Sequence, residues 1–142
     1  MLNKHALRQL NQAYEKDALV AAVYGASPVG IVVLLYKGAA NAIAQAGNAI
    51  NMQDYASKAR LISKAIDILD GLREMTNLEE GGDAARNLND LYLYMKARLA
   101  LAGKSNDQDI LAEVRSLLDT LLPAWVELDK REYSGAPVSA VG

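Results

Sequence analysis

The chain has 142 residues, the size of one domain, and a chain this long buries roughly 70% of its unfolded surface on folding. Apolar residues make up 51% of it, with no Phe, no Cys and one Trp, and 15 basic against 17 acidic side chains leave a net charge of −2. This excludes disulfides, zinc ribbons and thiol nucleophiles, and it provides no positive field to draw in nucleic acid or acidic lipid.

Residues 1–26 carry one weak helical pattern, Leu7, Leu10 and Tyr14, followed by the apolar run Val20 to Val23. We expect a strap or short helix there, lying on whatever follows. Met1-Leu2-Asn3-Lys4-His5 lacks the continuous apolar run of a signal peptide. The most apolar stretch, Val29 to Tyr36, is interrupted by Lys37 and Asn41 and falls short of the ~20 residues that cross a bilayer. The expectation is a soluble, cytosolic protein without membrane insertion.

From Ser27 onward apolar residues recur at helical spacing and no hairpin signal interrupts them. Ser27 and Pro28 open the first helix, the serine as cap and the proline at the first position, where no amide is needed. Val29, Val32, Leu35, Tyr36, Ala39, Ile43, Ala46 and Ile50 share one face to about Asn48, while Ile31 and Leu34 add apolar surface on a second side. Asp54 caps a second helix carrying Tyr55, Ala59, Ile62, Ile66, Leu69 and Leu72, and residues 76–82 form a loop ending at Gly81-Gly82. Asp83 caps a third, with Leu88, Leu91, Tyr92, Met95, Leu99 and Ala102 inward and Gly103 as its left-handed stop. The fourth opens near Asp107, and Leu111, Val114, Leu118, Leu121, Trp125 and Leu128 alternate spacings of three and four along its seam. Pro123 interrupts that helix; because Trp125 and Leu128 keep the phase, the spacing predicts a kink and then a resumed helix. The tail, residues 134–142, has little to bury and is expected to be disordered.

Short links between long amphipathic helices favour antiparallel neighbours, so the fold class is all-α: an antiparallel four-helix bundle over 27–133 with an N-terminal strap and a flexible tail. Its chemistry is sparse. Bundle metal sites pair carboxylates with histidines, and the only histidine, His5, precedes the bundle; the same lack removes a histidine-activated nucleophile, and no glycine-rich strand-to-helix loop cradles phosphate. We therefore expect no catalytic residue, no metal and no cofactor. Seven Tyr and no Phe put a hydroxyl on every aromatic ring but Trp125, which suits half-buried surfaces. Tyr36, Tyr92 and Tyr94 read most simply as core or rim, and Trp125 as a core anchor.

Several separated motifs, in order, resemble the FliS family of flagellar secretion chaperones. Asn11-Gln12-Ala13-Tyr14 is similar to the family's N-terminal motif, and Ala26-Ser27-Pro28 followed by Leu34-Leu35-Tyr36-Lys37-Gly38-Ala39 to its most distinctive signature. Lys64-Ala65-Ile66-Asp67-Ile68-Leu69, Gly81-Gly82, Leu91-Tyr92-Leu93-Tyr94-Met95 with Arg98-Leu99, and Leu121-Leu122-Pro123-Ala124-Trp125 extend the likeness. Two positions depart from it: Gly30 replaces an acid that would close a capping box, so this helix start is expected to fray, and Pro123 replaces a polar residue.

The resemblance implies a cytosolic export chaperone that binds the C-terminal segment of flagellin, prevents premature polymerisation and delivers the subunit to the flagellar export gate. Such a client offers an apolar strip unpaired before assembly, which a bundle with a spare apolar groove can shelter. Tyr14 in the strap and Ile31, Leu34 and Tyr36 around the groove are the candidate partner-binding residues, with Ser27, Pro28 and Trp125 structural. The competing reading is a homodimeric helical adaptor that buries the same apolar excess against a second copy. A bundle enzyme using central Arg and Glu is disfavoured, because none of the inward positions identified carries a charge.

Overall fold

A computed structural model describes residues 27–133, all but three of them with their side chains. Four helices follow in order: α1 Pro28–Asn51, α2 Tyr55–Met75, α3 Leu78–Ser105 and α4 Gln108–Tyr133. Links of two or three residues force each to reverse on its predecessor, and α1 packs on α2 and α4 while α3 packs on the same two. The result is the antiparallel bundle that the periodicity predicts. The expected strap over 1–26 and the tail 134–142 lie outside the described residues.

One continuous core fills the bundle, from Leu35, Tyr36 and Ile43 of α1 through Ile68, Leu69 and Leu72 of α2, Tyr92, Met95 and Leu99 of α3, to Val114 and Leu118 of α4. Ala39, Ala42, Ala46 and Ala49 are buried along α1, and their small side chains let its neighbours approach closely. By length and composition α1 is apolar enough to cross a membrane, which the shorter stretch Val29 to Tyr36 did not suggest. Most of its apolar window is buried within the bundle instead.

Several boundaries differ from the expectation, each for a local reason. α1 continues to Asn51, beyond Asn48. The second helix starts at its expected cap, where Asp54 Oδ1 accepts from the Ser57 N–H at 3.1 Å, but Tyr55 and Ala59 face solvent while Leu61, Ala65 and Ile68 are buried. The expected 76–82 loop shrinks to Thr76 and Asn77, because Asn77 caps α3 by accepting from the Glu80 N–H at 3.0 Å. Asp83 instead pairs with Arg86 one turn on. Gly82, at φ 60° and ψ −139°, breaks the helix one turn after it starts, in a region open to a residue without Cβ.

Gly103 does not stop α3. The left-handed residue is Asn106, at φ 55°, whose N–H donates to the Ala102 carbonyl. Lys58 explains the shift: its Nζ donates to Gly103 O at 2.8 Å and to Asn106 Oδ1 at 2.6 Å, binding the end of α3 to the start of α2. Lys58 is also a buried charge that the inward seam omitted. Asp107 caps α4, accepting from the Asp109 and Ile110 amides, and α4 continues through Pro123 to Tyr133 and does not stop at Leu122.

Candidate functional site

At the end of the bundle where α1 begins, an open apolar pocket of about 410 Å³ lies between the helices. α1 contributes Pro28, Val29 and Val32, α2 contributes Leu72 and Met75, α3 contributes Ala84, Ala85, Leu88 and Tyr92, and α4 contributes Trp125. Local sequence keeps it open. Gly81 and Gly82 turn the chain at the head of α3, and the positions that next face the pocket, Ala84 and Ala85, are too short to fill it. A Cβ on Gly81 would lie 2.4 Å from the Ala85 Cβ, so the turn admits no larger residue without moving this wall.

Behind the opening lies an aromatic group. Tyr36 and Tyr92 are each 1% exposed, their hydroxyls are 2.7 Å apart and their rings meet edge-on at 6.2 Å. Trp125 lies 6.2 Å from Tyr36 at a tilt of 50°. Burial pushes the Tyr36 hydroxyl above its ordinary pKa against the opposing influence of Tyr92 and Trp125, and it pushes Tyr92 far higher, with the proximity of Tyr36 adding to the effect. Both are neutral hydroxyls at any physiological pH.

The start of α1 is fixed beside this pocket. Ser27 Oγ accepts from the Gly30 N–H at 3.0 Å and donates to Asp129 Oδ1 at 3.0 Å, 102 residues away. The first turn of α1 contains no acid, so a carboxylate from α4 complements the helix N-terminus where a local capping box is missing. This is why Gly30 does not leave the helix start unsupported.

The opposite end is polar. A groove of about 580 Å³ between α1 and α4 is edged by Asn48, Asn51, Gln108, Arg115 and Asp119, and Gln108 Nε2 donates across it to Gly47 O at 2.8 Å and Asn51 Oδ1 at 3.0 Å. On the outer face of α3, Leu93, Tyr94 and Leu101 are 40–46% exposed, and Tyr94 and Arg98 both donate to Glu113 of α4. Among the described residues no three His, Cys, Asp or Glu gather as a metal cage.

The candidate residues read from the sequence fall in different places. Tyr14 lies outside the described residues. Ile31 and Tyr36 are buried at 5% and 1%, Leu34 is half-buried against the core, and none of the three lines the pocket. Ser27 and Pro28 start α1 as expected, and Trp125, half-buried, forms pocket wall as well as packing on the core. The spacing does not single out Met75 and places Val32 and Leu88 on inward helix faces. Their membership of a helix face was legible, but their exposure at its open end was not.

Known proteins resemble this chain over most of its length. The family described as flagellar protein FliS matches residues 9–132. The flagellar secretion chaperone FliSB of Pseudomonas aeruginosa is 40% identical over 121 residues, 85% of this chain and 95% of its own length. Flagellar secretion chaperones FliS of Salmonella typhimurium and Vibrio cholerae are 36% and 32% identical, covering 84% and 92% of this chain and 90% and 96% of their own. The chain therefore belongs to the FliS family, a family of flagellar secretion chaperones and not of enzymes.

Proposed function

We propose that this chain is a cytosolic export chaperone that binds the C-terminal segment of flagellin, keeps it from polymerising and hands it to the flagellar type III export gate. Membership of the family supports the chaperone role, and the observation that carries the binding step is the open apolar pocket walled by α1, α2, α3 and Trp125. An apolar segment entering it exchanges water for hydrocarbon contact, which is the driving force a nucleotide-independent chaperone needs. Release then requires only a partner that competes for the same segment.

Within this reading Tyr36 supports the pocket from behind through Tyr92 and Trp125, and Leu34 offers a half-buried contact. Ile31 meets a client only when the side chains covering it move. The strap over 1–26, with Tyr14, is proposed to compete with the client. Calorimetry with monomeric flagellin and with flagellin lacking its C-terminal segment tests the reading: the intact protein binds with a negative heat-capacity change and the truncated one does not. Equal binding to both, or to neither, removes the proposal. Deleting residues 1–18 then tests the strap, and unchanged affinity and heat capacity remove it from the mechanism.

A second reading has one observation in its favour. Leu93 and Leu101, eight residues apart on α3, expose an apolar face that a second copy could cover. A stable dimer in light scattering, unchanged by flagellin, supports that reading over the first.

A further inference from the structure

We propose that the outer face of α3 recognises a second copy of this chain, packed antiparallel about Ala97. Leu93 of one copy lies beside Leu101 of the other, Asp90 faces Lys104, and both apolar pockets stay open. This pairing is separate from the client reading, because the pocket takes Leu88 and Tyr92 from the opposite side of the same helix.

At 3.6 residues per turn, Asp90, Leu93, Ala97, Leu101 and Lys104 fall on one strip of α3, and all five are exposed, as is Ala100 at its edge. The strip is symmetric about Ala97. Leu93 and Leu101 stand four residues to either side of it, and Asp90 and Lys104 seven residues to either side. A twofold axis beside Ala97 therefore sets hydrocarbon against hydrocarbon and acid against base. That is the condition a twofold interface imposes, since each of its contacts occurs twice and the surface must complement itself. A parallel pairing would set Asp90 on Asp90 and Lys104 on Lys104, which like-charge repulsion disfavours.

The surroundings of the strip fit the same contact. Ala97 and Ala100 are small enough to let two helices approach closely between the flanking leucines. On one flank Lys96 is bound to Asp70 of α2 at 3.1 Å, and on the other Arg98 is bound to Glu113 of α4 at 2.8 Å, which gives the apolar strip a polar rim. Those two cations are already paired. Asp90 and Lys104 form no ion pair with a described residue, so each is available to the other copy. One helix face lies at the small end of specific interfaces, and the expected dissociation constant is therefore weak, roughly tens of micromolar.

Sedimentation velocity of the full chain, from roughly one to several hundred micromolar, reads the association and should show monomer passing to dimer. Asp90→Lys and Lys104→Asp each set like charges against one another and should weaken pairing roughly tenfold, with melting unchanged. The double reversal, Asp90→Lys with Lys104→Asp, keeps the net charge of the unmodified chain and should restore its association, because both cross-contacts are re-formed with their signs exchanged. Ala97→Arg puts two cations at the axis and should leave a monomer that still melts cooperatively. A chain that stays monomeric over the whole range, a dimer indifferent to these changes, or single reversals that the double reversal does not rescue overturns the proposal. Pairing is read without flagellin, so failure of the client reading leaves it intact. Ala97→Arg should bind flagellin as the unmodified chain does; a loss of that affinity would give the face to the client and overturn the pairing.

Discussion

The two ends of the bundle are built on opposite principles. Where α1 ends and α4 begins, polar side chains tie the helices together around a polar groove: Lys58 holds the last turn of α3, Gln108 ties α4 to Gly47 and Asn51, and Asp54 and Asp107 cap their helices. Where α1 begins, the walls are Val, Leu, Met, Ala and Trp, the head of α3 is broken at Gly82, and an open apolar pocket remains. The groove at the first end is edged by amides and charges, and the pocket at the second by hydrocarbon and an indole, so only the second offers an apolar segment a matching wall. The difference teaches that one fold can spend polar bonds on joining its helices at one end and leave apolar surface uncovered at the other.

Four measurements would break or sharpen that contrast. The largest effect is expected at the open end: Val32→Glu puts a carboxylate against the incoming apolar segment and should weaken flagellin binding roughly a hundredfold in calorimetry, with cooperative melting retained. Binding at full strength would move the guest site elsewhere. At the polar end Lys58→Met leaves the Gly103 carbonyl and the Asn106 side chain without their donor and should cost about 2 kcal/mol in urea denaturation, with flagellin affinity unaltered. A loss of affinity in that variant would show that the ends are coupled.

Ser27→Ala removes the α1 cap and the contact to Asp129, and should lower stability by about 1 kcal/mol, read as faster amide exchange confined to the first turn of α1. The smallest effect concerns pH. Ser57, through its side chain and its backbone N–H, holds the Asp54 carboxyl below the usual carboxylate range. A depressed acid stabilises the fold above its unfolded pKa and ceases to do so as pH falls through the folded value, so stability should decline below about pH 4. Asp54→Asn should flatten part of that decline, and an unchanged profile would assign it to other groups.

The helices were legible in the sequence because spacing of three and four is a property of each segment alone, and the Leu111-to-Leu128 seam shows it most plainly. Their ends were less so. Gly103 looks like a stop, but the actual left-handed residue, Asn106, is held by a lysine 48 residues away. Gly81-Gly82 looks like a loop, but Asn77 starts the helix earlier and only Gly82 departs from it. The pocket was the least legible. Val29 and Val32 belong to the same apolar stripe as Leu35 and Tyr36, and which of them stays uncovered depends on where neighbouring helices stop, a tertiary outcome that no single stripe encodes. Tyr36 shows the converse: chosen as a client contact, it lies one layer deeper.

The hydroxyl-to-carboxylate bridge from Ser27 to Asp129 has a practical consequence. It clasps the first turn of the opening helix to the last turns of the closing one, so the described bundle begins and ends beside the open apolar pocket. A dye attached near Ser27 or Asp129 is therefore held beside the open pocket. A reporter meant to leave capture undisturbed belongs at the far bend, around Met52 and Gln53, where the backbone is exposed and turns through a left-handed residue.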